Sequence, residues 1–304
     1  MTDTIVLKDV SRWYGNVVAV NGMSFAVTPG ITGLLGPNGA GKSTLLHMLS
    51  GFLKPSAGEV TVLGEPAWGS PSLYRRLGLV PERESVYGSL SGYEFVRLNA
   101  RLQRLPNPDE AARAAIRLVD LEAAAERSTS GYSKGMKQRI KVAAALVHDP
   151  AVLLLDEPFN GADPRQRLHM MELFRRLADE GRTIIFSSHI LEEVERLAER
   201  VLVVVGGRLA ASGDFREIRR LMTDRPHTFR LRTSDDRRLA SALVAHESVV
   251  SVDLAEDRFV VRTSQLGAFA LAIPALARSC GVTLLELRPT DESLEDVFAY
   301  LVSR

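Results

Sequence analysis

Residues 36 to 44 read Gly-Pro-Asn-Gly-Ala-Gly-Lys-Ser-Thr, set between an apolar run, Ile31 to Leu35, and an amphipathic stretch, Leu45 to Leu49. A strand, a glycine-rich turn and a helix in that order constrain the chain to an α/β fold whose turn lies at the carboxyl edge of a sheet. Gly36, Gly39 and Gly41 let successive backbone N–H groups turn toward one centre with no Cβ in the way. The helix beginning near Lys42 adds its N-terminal dipole. Such a loop, with Asn38 in it, suits phosphate oxygens. Lys42 reaches toward β- and γ-phosphates, Ser43 offers a hydroxyl to Mg²⁺, and Thr44 can bond a further phosphate oxygen.

Composition narrows the setting. The chain has 304 residues, 45% hydrophobic and 25% charged, with a formal net charge of +1, so no strong field for nucleic acid or a membrane surface is implied. The single cysteine, Cys280, cannot form an internal disulfide and reads as a small packing residue. The opening Met-Thr-Asp-Thr lacks the pattern of a signal peptide, and apolar runs such as Val201 to Val205 are too short to span a bilayer. Work at a membrane would require another chain to do the spanning.

Val152 to Leu155 is a continuous apolar run, the pattern of a strand buried on both faces, and it delivers Asp156 and Glu157 to the same sheet edge. Asp156 suits Mg²⁺ or its water, and Glu157 suits polarisation of an attacking water. In isolation two adjacent carboxylates could equally cap a turn. Thr183 to Phe186 reads as another buried strand and brings Ser187, Ser188 and His189 to that edge, where a histidine can meet a γ-phosphate. His47, His148, His169, His227 and His246 stand at no such strand end and read as surface or packing residues.

Gly131 to Arg139, Gly-Tyr-Ser-Lys-Gly-Met-Lys-Gln-Arg, places Ser133 and Gly135 at a helix start roughly twenty residues before Asp156. A serine there is an ordinary N-cap. Together with the phosphate loop, the arrangement resembles the ATP-binding-cassette (ABC) transporter family over about residues 4 to 220. The resemblance implies that two cassettes sandwich two ATP molecules, so that Ser133 and Gly135 bind the γ-phosphate of the nucleotide on a second ATP-binding subunit, a homodimer being sufficient. It implies an adenine-stacking role for Tyr14, with Trp13 as its alternative, and a place for Asp163 in the loop that crosses to the partner. Three features depart from the family pattern. The signature is Tyr132-Ser-Lys-Gly-Met136, with a cation at Lys134 where the family has glycine. The γ-phosphate- and Mg²⁺-sensing glutamine is replaced by Glu82, which keeps an oxygen ligand and gains charge. The crossing loop reads Asn160-Gly-Ala-Asp163.

The expected architecture is a RecA-like core with antiparallel β and helical subdomains over residues 1–222, followed by a small α+β ferredoxin-like domain over 223–304. Residues 5 to 27 alternate and carry turn signals at Tyr14-Gly-Asn16 and Asn21-Gly22. Residues 83 to about 147 show helical patterns, including Glu94 to Leu105 and Asp109 to Val119. Tyr87, Tyr93 and Phe95 there fall where transporters of this family receive a helix of the membrane subunit, although packing within the subdomain accounts for them as well. After a linker at 224–226, apolar stretches at 229–231, 249–254, 259–261 and 282–287 alternate with helical patterns at 236–246 and 266–279, the order of a split βαβ unit. A closing helix is expected from the stripe Leu294, Val297, Phe298, Leu301 and Val302. Ser293 to Phe298 resembles the C-termini of bacterial exporter ATPases that pair with a separate permease.

The resulting expectation is an ATP-hydrolysing exporter subunit with ATP and Mg²⁺ as cofactors, a permease as partner and no nucleic acid. Its expected location is the cytoplasmic face of the cell membrane, peripheral through that permease. The competing class is a non-transport cassette acting on ribosomes or DNA. Against it stand the single cassette, the spacing of only about ninety residues between Lys42 and Ser133, and positive and negative charges that nearly cancel.

Overall fold

A computed structural model describes residues 3–83, 86–214, 226–255 and 258–289. The expected closing helix at 294–302, the Ser293 to Phe298 motif and residues 224 and 225 of the expected linker lie outside the described residues. The chain divides into two compact units, residues 1–215 and 216–304.

In the first unit the elements run β1 (Ile5–Tyr14), β2 (Val17–Val27), β3 (Gly30–Leu35), α1 (Lys42–Leu49), β4 (Ala57–Val62), β5 (Glu65–Pro66), α2 (Pro71–Tyr74) and β6 (Leu77–Val80). Then come α3 (Gly92–Leu102), α4 (Pro108–Leu118), α5 (Lys134–Leu146), β7 (Val152–Asp156), α6 (Pro164–Asp179), β8 (Thr183–Ser188), α7 (Leu191–Leu197), β9 (Arg200–Val205) and β10 (Arg208–Gly213). One sheet has the order β10-β9-β3-β8-β7-β6, parallel except for the antiparallel β9–β10 edge. Every residue of β7 and of β8 is buried, as expected of strands covered on both faces. Since the parallel strands end together, the turns after β3, β7 and β8 meet at one edge. Phe159, Phe174 and Phe186 pack there with ring centroids 5.9 and 6.0 Å apart, fixing α6 against β8.

The second sheet of this unit, β2-β1-β4-β5, is antiparallel. The turn signal at Gly15 joins β1 to β2. The signal at Asn21-Gly22 does not make a turn. β2 runs through it as a bulge, with Gly22 at φ 58 and its N–H donating to Ser11 Oγ at 2.9 Å, while the register slips between Val10 and Arg12. β4 joins β1 from a stretch the sequence pattern did not mark, because Ala57, Gly58 and Glu59 break the alternation.

Helices α3, α4 and α5 pack on one another. A capping box starts α3: Ser91 Oγ accepts from Glu94 N–H at 3.1 Å, and Glu94 accepts from Ser91 N–H at 2.8 Å. Pro108 opens α4. α5 is buried from Gln138 through Leu146, so its polar side chains must find partners inside. Arg139 Nη1 donates to the carbonyls of Val119 and Asp120 at 3.1 and 2.9 Å, a cation at the C-terminus of α4.

The second unit contains β11 (His227–Thr233), α8 (Asp236–Val244), β12 (Val249–Ala255), β13 (Arg258–Thr263), α9 (Leu266–Ser279) and β14 (Leu284–Pro289). Its sheet order, β12-β13-β11-β14, is that of a split βαβ unit. Leu239, Leu243, Phe269 and Ile273 from the helices pack on Phe229, Leu231, Phe259 and Val261. Cys280 is half-buried against this core.

Candidate functional site

The turn between β3 and α1 is shaped by close approach. A Cβ on Gly36 would lie 2.4 Å from the Val204 carbonyl oxygen, and one on Gly41 would lie 2.3 Å from that of Ala19, with Gly41 at φ 101 besides. No side chain caps α1, so its first N–H groups have no hydroxyl or carboxylate of their own. They face an open cavity of about 400 Å³. Asn38, Gly39, Gly41, Lys42, Ser43 and Thr44 line it from the loop, and Glu82, Asp156 and Glu157 from the ends of β6 and β7. Ala19 of β2 completes the wall, a contribution no local sequence signal announces. The Lys42 ammonium donates to the Gly36 and Pro37 carbonyls at 2.7 and 3.2 Å. Burial pulls its pKa down, while Glu157, Asp156 and Glu82 oppose the shift. A cation, unmet helix amides and small residues in one cavity fit a polyphosphate.

The carboxylates are held by one serine. Ser187 Oγ donates to Asp156 Oδ1 at 2.5 Å and accepts from Glu157 N–H at 2.9 Å. Glu157 itself has φ 48, unusual for a side chain larger than glycine, and this aims its buried carboxylate back toward the cavity and His189. Its Oε1 lies 3.0 Å from His189 Nδ1. Burial raises the Glu157 pKa, and the hydrogen bond and charge of His189, with Lys42, work against that rise. A carboxylate with a raised pKa, oriented by a histidine beside a cavity lined by the glycine-rich loop, can accept a proton from water. The hydroxyl of Ser43 and the carboxylates of Asp156 and Glu82 are hard oxygen donors, the chemistry Mg²⁺ requires.

The remaining candidates sit apart from this cavity. Ser133 Oγ accepts from Met136 N–H at 3.2 Å and caps α5, and Asp163 Oδ1 accepts from Gln166 N–H at 2.8 Å and caps α6. Gly135 is buried. A Cβ there would meet Gln166 Oε1 at 2.6 Å and the Gly161 carbonyl oxygen at 2.9 Å, so the glycine allows α5 to touch the loop before α6. Tyr14 is about half exposed, with the Arg12 guanidinium 4.7 Å above its ring.

A family model described as "ABC transporter" matches residues 20–160. Over 303 residues, 98% of this chain and 97% of the relative, the chain is 31% identical to the linearmycin resistance ATP-binding protein LnrL of Bacillus subtilis (strain 168). The chain belongs to the ABC transporter family. It is also 39% identical over 216 residues to the Nod factor export ATP-binding protein I of Rhizobium meliloti (strain 1021), a match spanning 70% of this chain and 64% of that relative, just under two thirds of its length. A solved structure described as the ATP binding subunit of an ABC transporter superposes with a TM-score of 0.66 at 30% identity, covering 72% of this chain and 92% of the other. Family membership decides for a transporter ATPase and against a cassette acting on ribosomes or DNA.

Within this ABC cassette, two residues of α5 escaped the sequence reading. Gln138 Nε2 donates to the Glu157 carbonyl at 3.4 Å. Lys141 Nζ donates to the carbonyls of Pro81, Glu82 and Arg83 at 2.7, 3.3 and 3.2 Å, holding the turn that carries Glu82. The only local hint was an excess of polar residues in a helix otherwise rich in alanine and valine.

Proposed function

We propose that this transporter ATPase works as a head-to-tail homodimer beneath a separate membrane permease, closing on ATP and reopening when Glu157 promotes hydrolysis, and that its transport direction is export. The observation that carries the reading is the Glu157 carboxylate, which is buried, faces the phosphate-loop cavity and is held 3.0 Å from His189. Lys42, Gly39, Gly41 and Thr44 bind the ATP phosphates, and Tyr14 stacks on adenine. Ser43, Asp156 and Glu82 hold Mg²⁺, which supplies charge neutralisation on the phosphates when bound. Glu157 takes the proton of the attacking water, and His189 orients it and the γ-phosphate. Ser133 and Gly135, at the start of α5, complete the phosphate site of the partner cassette, with Asp163 crossing the same interface.

Support for export comes from the relatives, one named for export and one for resistance. Among the described residues no helix is long and apolar enough to cross a membrane, so the reading assigns the spanning to the permease. The cassette then sits peripherally at the cytoplasmic face of the membrane.

The test is affinity purification of the Glu157→Gln variant from detergent-solubilised native membranes with ATP present, followed by mass spectrometry. Recovery of a multi-span membrane protein in near-equal amount is the expected result. Recovery of ribosomal or DNA-repair proteins without a membrane partner would overturn the proposal.

A further inference from the structure

Glu193 lies on α7, one helical turn beyond His189, with a side chain only 4% exposed. A carboxylate removed from water is costly unless its oxygens are bonded. Here one oxygen is hydrogen-bonded and the other is ion-paired. Oε2 accepts from the Ser188 hydroxyl at 2.6 Å, and Oε1 faces Arg167 Nε at 3.4 Å.

Each partner reaches toward the reacting end of the site. Ser188 directly precedes His189, and its hydroxyl oxygen also accepts from Ile190 N–H at 3.0 Å, so the backbone on both sides of the histidine is gathered around one oxygen. The Glu193 N–H returns to the Ile190 carbonyl at 3.2 Å. Arg167 belongs to α6, and its backbone N–H donates to the Asp163 carbonyl at 2.9 Å, the hydrogen bond that closes the first turn of that helix. A path made of hydrogen bonds and, between Arg167 and Glu193, an ion pair therefore runs from Asp163 through Arg167, Glu193 and Ser188 to His189 and Glu157. An apolar side chain of similar size would fill the space of Glu193 without burying a charge. It could not hold Ser188 or Arg167.

We propose that Glu193 is a positioning residue of the hydrolytic site, fastening the turn that carries His189 to the start of α6 so that the imidazole stays within hydrogen-bond reach of Glu157. The inference rests on the reading of Glu157 as the group that takes the proton from water. It assigns Glu193 no contact with nucleotide, consistent with its place away from the residues lining the phosphate cavity.

Steady-state ATP hydrolysis by the full-length chain tests it, with Glu193→Ala, Glu193→Gln and Ser188→Ala compared in the wild-type and His189→Ala backgrounds. Glu193→Ala is expected to lower kcat about tenfold while KM for ATP stays within about twofold, since a geometry needed only for the chemical step is lost. Ser188→Ala should reproduce the effect. Glu193→Gln, whose amide oxygen still accepts from Ser188, should recover most of the lost rate. With His189 already removed, Glu193→Ala should change kcat by less than about twofold, because two residues acting through one path are not additive. An equal loss in both backgrounds, or a loss carried by KM alone, would overturn the proposal. Should the alanine variant fail to fold, Ser188→Ala in the two backgrounds gives the same decision. If Glu157→Gln hydrolyses ATP as fast as wild type, the underlying reading of Glu157 fails, which is a different pattern from failure of Glu193 alone.

Discussion

The start of α1 and the start of α5 pose the same physical problem and reach different solutions. Both are helix N-termini with backbone N–H groups left over. At α1 no side chain caps the helix, and the free donors point into a cavity that also holds Lys42 and three carboxylates. At α5 the hydroxyl of Ser133 takes the Met136 N–H, Lys134 stands exposed, and Gly135 is pressed against the loop before α6. The first terminus carries its donors, its cation and its carboxylates within one chain. The second is already capped by Ser133, and under the proposed dimer it would serve as an anion site only for a nucleotide brought by the partner cassette.

The largest effect should come from the first terminus. Glu157→Gln removes the proton acceptor and should lower kcat by about 10²- to 10⁴-fold, with nucleotide affinity retained, measured by ATP turnover and by equilibrium binding. Equal loss of binding would mean that Glu157 organises the cavity instead of acting in it.

Gly135→Ala attacks the other terminus. The added methyl has no room beside the Gly161 carbonyl oxygen, so a stability loss of about 1–3 kcal/mol is expected, read as a shift of the denaturation midpoint. Ser133→Ala should cost about 1 kcal/mol as the loss of an N-cap. In the Glu157→Gln background it should also abolish ATP-dependent dimerisation, followed by sedimentation. A stability loss with dimerisation intact would return Ser133 to a plain capping role and erase the contrast between the two termini.

The smallest effect concerns pH. Burial first of all raises the Glu157 pKa, so the folded chain holds that proton more tightly than the unfolded chain. The stability this contributes is fully present below the ordinary glutamate value and is lost as pH rises through the raised one. Glu157→Gln should lack that decline, and denaturation midpoints of the two proteins should diverge toward neutral pH. In turnover, the same shift should place the acid limb of kcat above the ordinary carboxylate range.

The sequence made the phosphate loop, the carboxylates after β7 and the histidine after β8 legible, because each is a local pattern at the end of an apolar run. Parallel strands then bring such ends together without further information. What stayed hidden is what topology supplies from a distance. Ala19 reaches the cavity wall from another sheet, and Lys141 and Glu193 look like solvated helix residues until burial forces their charges onto backbone carbonyls, a serine and an arginine. Asn21-Gly22 was misleading for a related reason. A glycine at positive φ serves a bulge as well as it serves a turn, and only the pairing partner decides.

The contact of Gly135 with Gly161 has a mechanical consequence. Gly135 has no Cβ of its own to hold off the Gly161 carbonyl and the Gln166 side chain, so the first turn of α5 has little room to move without the loop ending at Asp163. A tilt of α5 would be felt first at Asp163 and, through the hydrogen bond that closes the first turn of α6, at Arg167. The joint between the start of α5 and the loop before α6 is a tight one.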